Sequence, residues 1–238
     1  MQTHKVKKYS IIIPTLNEEQ GIRDFLNALQ PLREYCEIII ADAQSTDNTK
    51  LRSLPLIDQF ISTPKGRAIQ MNLGAAQASA EILIFLHADT YLPEQALASI
   101  QQGIASGAQW GRFDIRLIGQ SAMLKVVAQM INWRSHLTGI ATGDQVLFMT
   151  QQIFRQLGGF PEQALMEDIE MSKRLKKIQR PYCIKTKVNS SARRWEEFGI
   201  WQTIILMWSL RLRYFFGESP TVLARLYKQG KIRKKLLS

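Results

Sequence analysis

The sequence predicts an α/β protein: a Rossmann-like, mostly parallel central sheet flanked by helices, with a basic helical extension at its C-terminal end. Two observations predict the sheet and a third predicts the extension. Short apolar runs rich in β-branched residues recur through the first 90 residues, each bounded by polar turns, which is the pattern of buried strands. Between them lie stretches with apolar residues three and four apart, so the chain alternates as βαβ units do. The charge is lopsided: residues 1–170 hold 14 Lys and Arg against 17 Asp and Glu, whereas residues 171–238 hold 17 against 3.

In chain order, residues 10–14 (SIIIP) read as a buried strand. Asn17 stands where it can cap a helix, with Glu18 and Glu19 in the first turn. That helix is expected to run to about Arg33, with Ile22, Phe25, Leu26 and Leu29 on one face. Residues 37–42 (EIIIAD) form the next strand, 43–49 a polar turn, and 57–62 a weaker strand. Residues 66–78 form a helix whose start carries Lys65 and Arg67. Residues 81–86 (EILIFL) form a buried strand closed by His87, Ala88 and Asp89. Beyond it, 93–106 reads as a helix with Pro93 in its first turn, 110–118 as an alternating strand and 121–134 as a helix. Residues 145–150 (QVLFMT) read as a strand, followed by a short helix and the turn Gly158-Gly159-Phe160-Pro161. A helix starts near Glu167, and two basic, apolar-rich helices follow Arg193.

Of the 238 residues, 45% are hydrophobic and 21% charged, which excludes a disordered, collagen-like or disulfide-scaffold chain. Cys36 and Cys183 form no C-x-x-C pair and read as reduced thiols. The apolar stretch at 11–13 is too short for a signal-peptide core. The uncharged run at 198–210 has 13 residues where a spanning helix needs roughly 20. These features predict a cytoplasmic protein, with a basic end able to sit peripherally on the inner face of the cell membrane.

In an open parallel sheet, ligands bind beyond the carboxyl ends of the strands. Three polar clusters stand there: Thr15, Asn17 and Glu18; Asp42, Ser45 and Asp47; His87 and Asp89. Loops of this kind need polar cappers in any case, which accounts for Asn17 and Ser45 better than for Asp89. Neither GxGxxG nor GxxxxGK[ST] is present, so a bound nucleotide's phosphates would need another counter-charge, and a carboxylate-held divalent cation is the candidate.

The ordered set PTLNE (14–18), ADAQSTDNT (41–49), KGRAIQMNLGA (65–75) and LHADT (86–90) resembles the inverting family 2 glycosyltransferases, which have the GT-A fold. GDQVLF (143–148), LGGFPE (157–162), MEDIE (166–170) and SARRW (191–195) continue the likeness over nearly the whole chain, closest to a small bacterial subgroup. The resemblance implies a single domain with a nucleotide-binding half (1–90), an acceptor half (91–190) and a basic helical extension (191–238). It implies transfer of a sugar from a nucleoside diphosphate, UDP type favoured, to an unidentified acceptor, with lipid-linked acceptors common among such enzymes.

Residue by residue, the resemblance puts Pro14, Thr15, Asn17, Glu18, Asp42, Ser45 and Arg67 at the nucleotide. Asp42 would accept a hydrogen bond from the base, and Arg67, at a helix N-terminus, would face the diphosphate. Asp89 matches the last carboxylate of the DxD motif and would hold Mn2+ or Mg2+. The first DxD position is His87, a ligand better suited to Mn2+ than to Mg2+. Asp168 matches the catalytic base that takes the acceptor proton, with Glu167 ranked second. Asp144, Gln145, Glu167, Arg194 and Trp195 would serve the acceptor and diphosphate side. The QxxRW motif of processive synthases has Ser191 at its Gln position, which argues against processive synthesis. His136 is a further metal-ligand candidate, weighed against a core role.

Two rivals differ in class. A nucleotidyltransferase would open with a Gly-rich basic loop, which PTLNEEQG lacks. A basic docking module would not bind nucleotide at all. Trp201, Ile204, Trp208, Leu212 and Phe215 recur at helical spacing as one apolar stripe. The stripe reads as packed on the body or on a second subunit, or as an interfacial anchor for anionic lipid. Nucleic-acid binding has no recognition motif behind it, and aromatics on such a stripe are expected to be buried.

Overall fold

The computed structural model describes residues 7–230; Lys231, Arg233, Lys234 and Lys235 of the basic end lie outside the described residues. The first half contains β1 (Tyr9–Thr15), α1 (Ile22–Leu29), β2 (Cys36–Asp42), α2 (Thr49–Ser53), β3 (Gln59–Ser62), α3 (Arg67–Gln77) and β4 (Ile82–Phe85). Then follow β5 (Thr90–Tyr91), α4 (Ala96–Ala105), β6 (Trp110–Ile118), α5 (Met123–Thr138), β7 (Leu147–Thr150), α6 (Gln151–Gln156) and α7 (Glu167–Lys176). The chain ends with β8 (Tyr182–Ser191), α8 (Arg193–Phe198), α9 (Ile200–Phe215) and α10 (Pro220–Gln229).

The strands form one sheet in the order β3-β2-β1-β4-β7-β6-β8-β5. β3, β2, β1 and β4 are parallel, as the β-branched runs predict; β7 is antiparallel to both β4 and β6, and β8 is parallel to β6. The arrangement is a GT-A fold, a mostly parallel Rossmann-like sheet with C-terminal helices. The central strands are uniformly apolar because both faces are covered. Ile11, Ile13, Ile38 and Ile40 pack with α1 and α5 on one face. On the other face, Ile12, Ile39 and Leu83 pack with α3 and α7.

Several expectations need correction. The first helix begins at Ile22, and Asn17 caps nothing: its backbone is left-handed (φ 55°) and its side chain serves the neighbouring loop. Gln145 lies in a 3-10 turn, Gly143–Gln145, before β7 begins. β8 is a strand the periodicity does not announce. Its register against β6 slips between Phe113 and Asp114, so the in–out alternation of its side chains breaks. β8 then pairs with β5, and the Ser191 N–H donates to the Asp89 carbonyl at 3.0 Å, fixing the corner after β4.

The C-terminal extension forms three helices. α9 packs through Leu206 and Leu210 against Met166, Ile169 and Leu223. The aromatic stripe is turned outward: Trp201, Trp208, Leu212 and Phe215 are exposed, and only Ile204 rests on the main core. α9 does pack on the body, chiefly through Leu206 and Leu210, and the expected burial of the aromatics does not occur. No helix among the described residues is long and apolar enough to cross a membrane.

Gly74 sets how closely α3 approaches β1, because a Cβ there would lie 2.5 Å from Ile12 Cγ2. Alanine in a helix interior ordinarily gains up to about 1 kcal/mol over glycine, but overpacking typically costs about 1–3 kcal/mol. Gly74→Ala is therefore expected to lower the thermal midpoint by a few degrees, as read by circular dichroism. A raised midpoint would show that the α3–β1 contact is loose.

Candidate functional site

The loops after β1 and β2 are knitted into one unit. Asp42 is buried, and its carboxylate accepts from Thr15 Oγ1 (2.8 Å), Ser45 N (2.8 Å) and Ser45 Oγ (2.6 Å). Asn17 N–H donates to Ser45 Oγ at 2.8 Å, and Asn17 Oδ1 accepts from Thr46 N at 2.9 Å. Glu18 N–H donates to Thr49 Oγ1 at 2.8 Å. Gln70 on α3 donates to the carbonyls of Thr15 (2.9 Å) and Ala41 (2.7 Å), anchoring both strand ends from below. Thr15, Asn17, Asp42 and Ser45 are thus a framework, and it presents Pro14 and Glu18 to a cleft.

That cleft, about 320 Å³, is lined by Pro14, Glu18, Arg67, His87, Asp89, Arg193, Arg194 and Tyr227, among others. Arg193 reaches Glu18 at 3.8 Å. Arg67 stands 3.6 Å from Glu167. Burial raises the Asp89 carboxyl above the ordinary carboxylate range, Arg193 pulls it back, and Asp144 adds to the rise. Burial, then the charge of Arg67, pushes His87 down to about 3, so its imidazole is neutral. Among the described residues, no group of three His, Cys, Asp or Glu side chains could by itself hold a metal ion.

The third component is the turn before β7. Gly143 N–H donates to Asp168 Oδ2 at 2.8 Å, and Ile169 N–H donates to Asp168 Oδ1 at 2.7 Å. Gly143 must be glycine, because a Cβ would enter the His87 ring. Thr142 and Gln145 close a capping box around the turn, and Gln145 is fully buried there, so it braces the turn and does not face the cleft. Met166 is left-handed (φ 68°) and turns the chain so that Glu167 is buried beside Arg67 while Asp168 stays partly exposed. Burial raises both carboxyls; Asp168 raises Glu167 further, and the two N–H donors and Arg67 oppose the rise at Asp168.

Of the residues expected on the acceptor and diphosphate side, Arg194 lines the cleft and Trp195 does not. The Arg194 guanidinium sits 3.6 Å over the Tyr227 ring and donates to the Tyr227 carbonyl, so α10 holds it at the cleft's edge. Trp195 packs against the main core. His136 meets Asp114 at 3.1 Å. Arg193, part of the SARRW motif, lines the cleft, and Tyr227 enters it without any local signal, because helix packing brings it there.

Residues 10–116 match the family described as Glycosyl transferase family 2. The "Probable glycosyltransferase YdaM" of Bacillus subtilis is 24% identical over 97% of this chain, and this chain spans 60% of its length. The poly(ribitol-phosphate) beta-N-acetylglucosaminyltransferase TarS of Staphylococcus aureus is 33% identical over 38% of this chain and 18% of its own. Among solved structures, the mannosyltransferase PcManGT of Pyrobaculum calidifontis, in complex with GDP-Man and Mn2+, superposes with a TM-score of 0.61. It is 18% identical and covers 94% of this chain and 69% of that one. TarS 1–349 in complex with UDP gives 0.61 at 18% identity over 84% of this chain and 64% of its own. Sequence and structure together support a family-2-like chain of GT-A fold.

The raised Asp168 carboxyl has a consequence for stability. The folded state favours its protonated form, so its contribution is fully present below the unfolded-state value and is lost as pH rises through the folded one. Asp168→Asn removes that loss. Its stability relative to wild type, from urea midpoints, is expected to increase as pH rises above about 4. A difference that is flat with pH would show an ordinary carboxyl.

Proposed function

We propose that this chain is an inverting, divalent-metal-dependent glycosyltransferase that uses a nucleoside-diphosphate sugar, with Asp168 as the base. The observation that carries the reading is the placement of Asp168. It is a partly exposed carboxylate fixed by two backbone N–H groups, joined through Gly143 and His87 to the cleft containing Asp89 and Arg67. The family match and the GT-A fold support it.

In the transfer, the acceptor hydroxyl oxygen bonds to the anomeric carbon from the face opposite the leaving group. The bond from that carbon to the diphosphate oxygen breaks, the nucleoside diphosphate departs with the electron pair, and the hydroxyl proton passes to Asp168. Burial raises the Asp168 carboxyl, which makes its carboxylate a stronger proton acceptor than an exposed one. Glu167 is buried against Arg67 and keeps that guanidinium toward the cleft. Arg67 and Arg193 would meet the diphosphate, and the framework around Asp42 would seat the base, with UDP the favoured nucleotide.

The donor set fits a cation that substrate completes. Asp89 supplies one buried-side carboxylate and His87 a neutral nitrogen, and divalent ions of this class are commonly held by one or two carboxylates plus phosphate oxygens. Bound there, Mn2+ or Mg2+ would neutralise charge on the diphosphate.

The test is a panel of UDP-, GDP- and dTDP-sugars with Mn2+, read by thermal shift and by nucleoside-diphosphate release. A UDP-sugar is expected to raise the midpoint in the presence of metal, and Asp89→Asn to abolish the metal-dependent part of the rise. Asp168→Asn is expected to keep the shift while slowing transfer by about a hundredfold to ten-thousandfold. No stabilisation by any nucleotide overturns the donor site; lost nucleotide binding in Asp168→Asn overturns its assignment as base.

A further inference from the structure

Part of the cleft wall comes from the C-terminal helices. Arg193 and Arg194 on α8 and Tyr227 on α10 line it, all of them outside the residues 10–116 that match the family. Tyr227 belongs to none of the motifs that carry the resemblance, and packing decides its place. Leu223 of α10 is fully buried in a cluster with Leu206, Leu210, Met166 and Ile169, and Tyr227 packs at the margin of that cluster. The helix ends at Gly230, left-handed at φ 64°, where an added Cβ would enter the Phe198 ring of α8. α10 is therefore seated near its start and at its end, and Tyr227 lies one turn before that second contact.

The three arginines of the cleft are not equivalent. Arg67 stands 3.6 Å from Glu167, and Arg193 stands 3.8 Å from Glu18. Among the described residues, Arg194 forms no ion pair with a carboxylate. Its guanidinium lies 3.6 Å over the Tyr227 ring and 5.0 Å from the Phe198 ring, and it donates to the Tyr227 carbonyl. Arg194 Nε is buried without a partner. A ring face and a carbonyl fix a guanidinium while leaving its charge in place, whereas a carboxylate would cancel it. A buried charged donor left unpaired is unfavourable, so the arrangement suits a cation that an anionic ligand completes.

We propose that Tyr227 is a positioning residue of the donor site: its ring and carbonyl hold the Arg194 guanidinium, un-neutralised, for the diphosphate of the sugar donor, and α10 is thereby part of that site. The inference rests on the cleft being where the donor binds. Negative charge grows on the diphosphate as it departs, and a cation already fixed there meets it without reorganisation.

The test is calorimetric titration of the full chain with UDP, GDP and inorganic pyrophosphate, each with Mn2+. Tyr227→Leu keeps an apolar side chain at the cluster and removes the ring, whereas Tyr227→Phe keeps both ring and carbonyl. Arg194→Gln removes the cation, and Lys228→Gln removes a charge from the exposed side of the same helix. Wild type is expected to bind pyrophosphate and a nucleotide. Tyr227→Leu should weaken both about tenfold and Arg194→Gln about thirtyfold, with Tyr227→Phe and Lys228→Gln within about twofold of wild type. Tyr227→Leu/Arg194→Gln should bind no more weakly than Arg194→Gln alone, because Tyr227 acts through the arginine; a general packing defect would add to the loss.

Additive losses in the double variant overturn the positioning role, and so does a loss in Lys228→Gln equal to that in Tyr227→Leu. Nucleotide binding that Tyr227→Leu leaves intact keeps the donor reading and removes Tyr227 from it. Pyrophosphate binding that depends on Tyr227, with no nucleotide bound, supports the diphosphate contact and removes the nucleotide donor. Wild type that binds neither ligand overturns both.

Discussion

The approach of Gly143 to His87 is the constraint on which the rest of the site depends. His87 follows β4, Gly143 opens the turn before β7, and Asp168 starts α7. With no side chain, Gly143 lies against the His87 ring while its N–H holds Asp168. β4 and β7 are paired antiparallel, so both strand ends and the helix start meet at one point. A rigid carboxylate next to a cleft needs this kind of support, because a small displacement of a reacting group lowers rate steeply.

Backbone strain is concentrated in the same place. Among the described residues, the non-glycine positions with left-handed φ are Asn17, Gln44, Val146 and Met166. The first two shape the loops after β1 and β2, Val146 closes the Gly143–Gln145 turn, and Met166 delivers Glu167 and Asp168. Such conformations cost of order 1–3 kcal/mol each and persist where surrounding structure over-determines them. Here that surrounding structure is visible: Val146 is fully buried, and Asn17 is tied to Ser45 and Thr46.

The net charge of +11 divides between two settings. The slightly acidic body holds the carboxylates of the site, whose protonation is shifted by burial and by one another. Of the basic residues after Met171, Arg193 and Arg194 line the cleft. The extension is therefore part of the site as well as a surface, because α9 and α10 pack on Met166 and Ile169, next to the catalytic candidate.

The sequence by itself determined the alternation of strands and helices in the first half, the apolar faces of the helices, and the position of Asp42, Asp89 and Asp168 at element ends. These follow from periods of two and 3.6 residues and from ordered motifs, which are local properties. Only the tertiary structure decided that Asp42 is absorbed in hydrogen bonds to Thr15 and Ser45, that Gln145 braces a turn, and that Arg193 faces Glu18 while Arg194 stacks on Tyr227. The same holds for β8, whose bulge erases the alternation a strand would show, and for the outward aromatics of α9, since periodicity finds an apolar stripe without saying what covers it. Pairing, counter-ion and exposure are relations between residues far apart in the chain, so no window of sequence contains them.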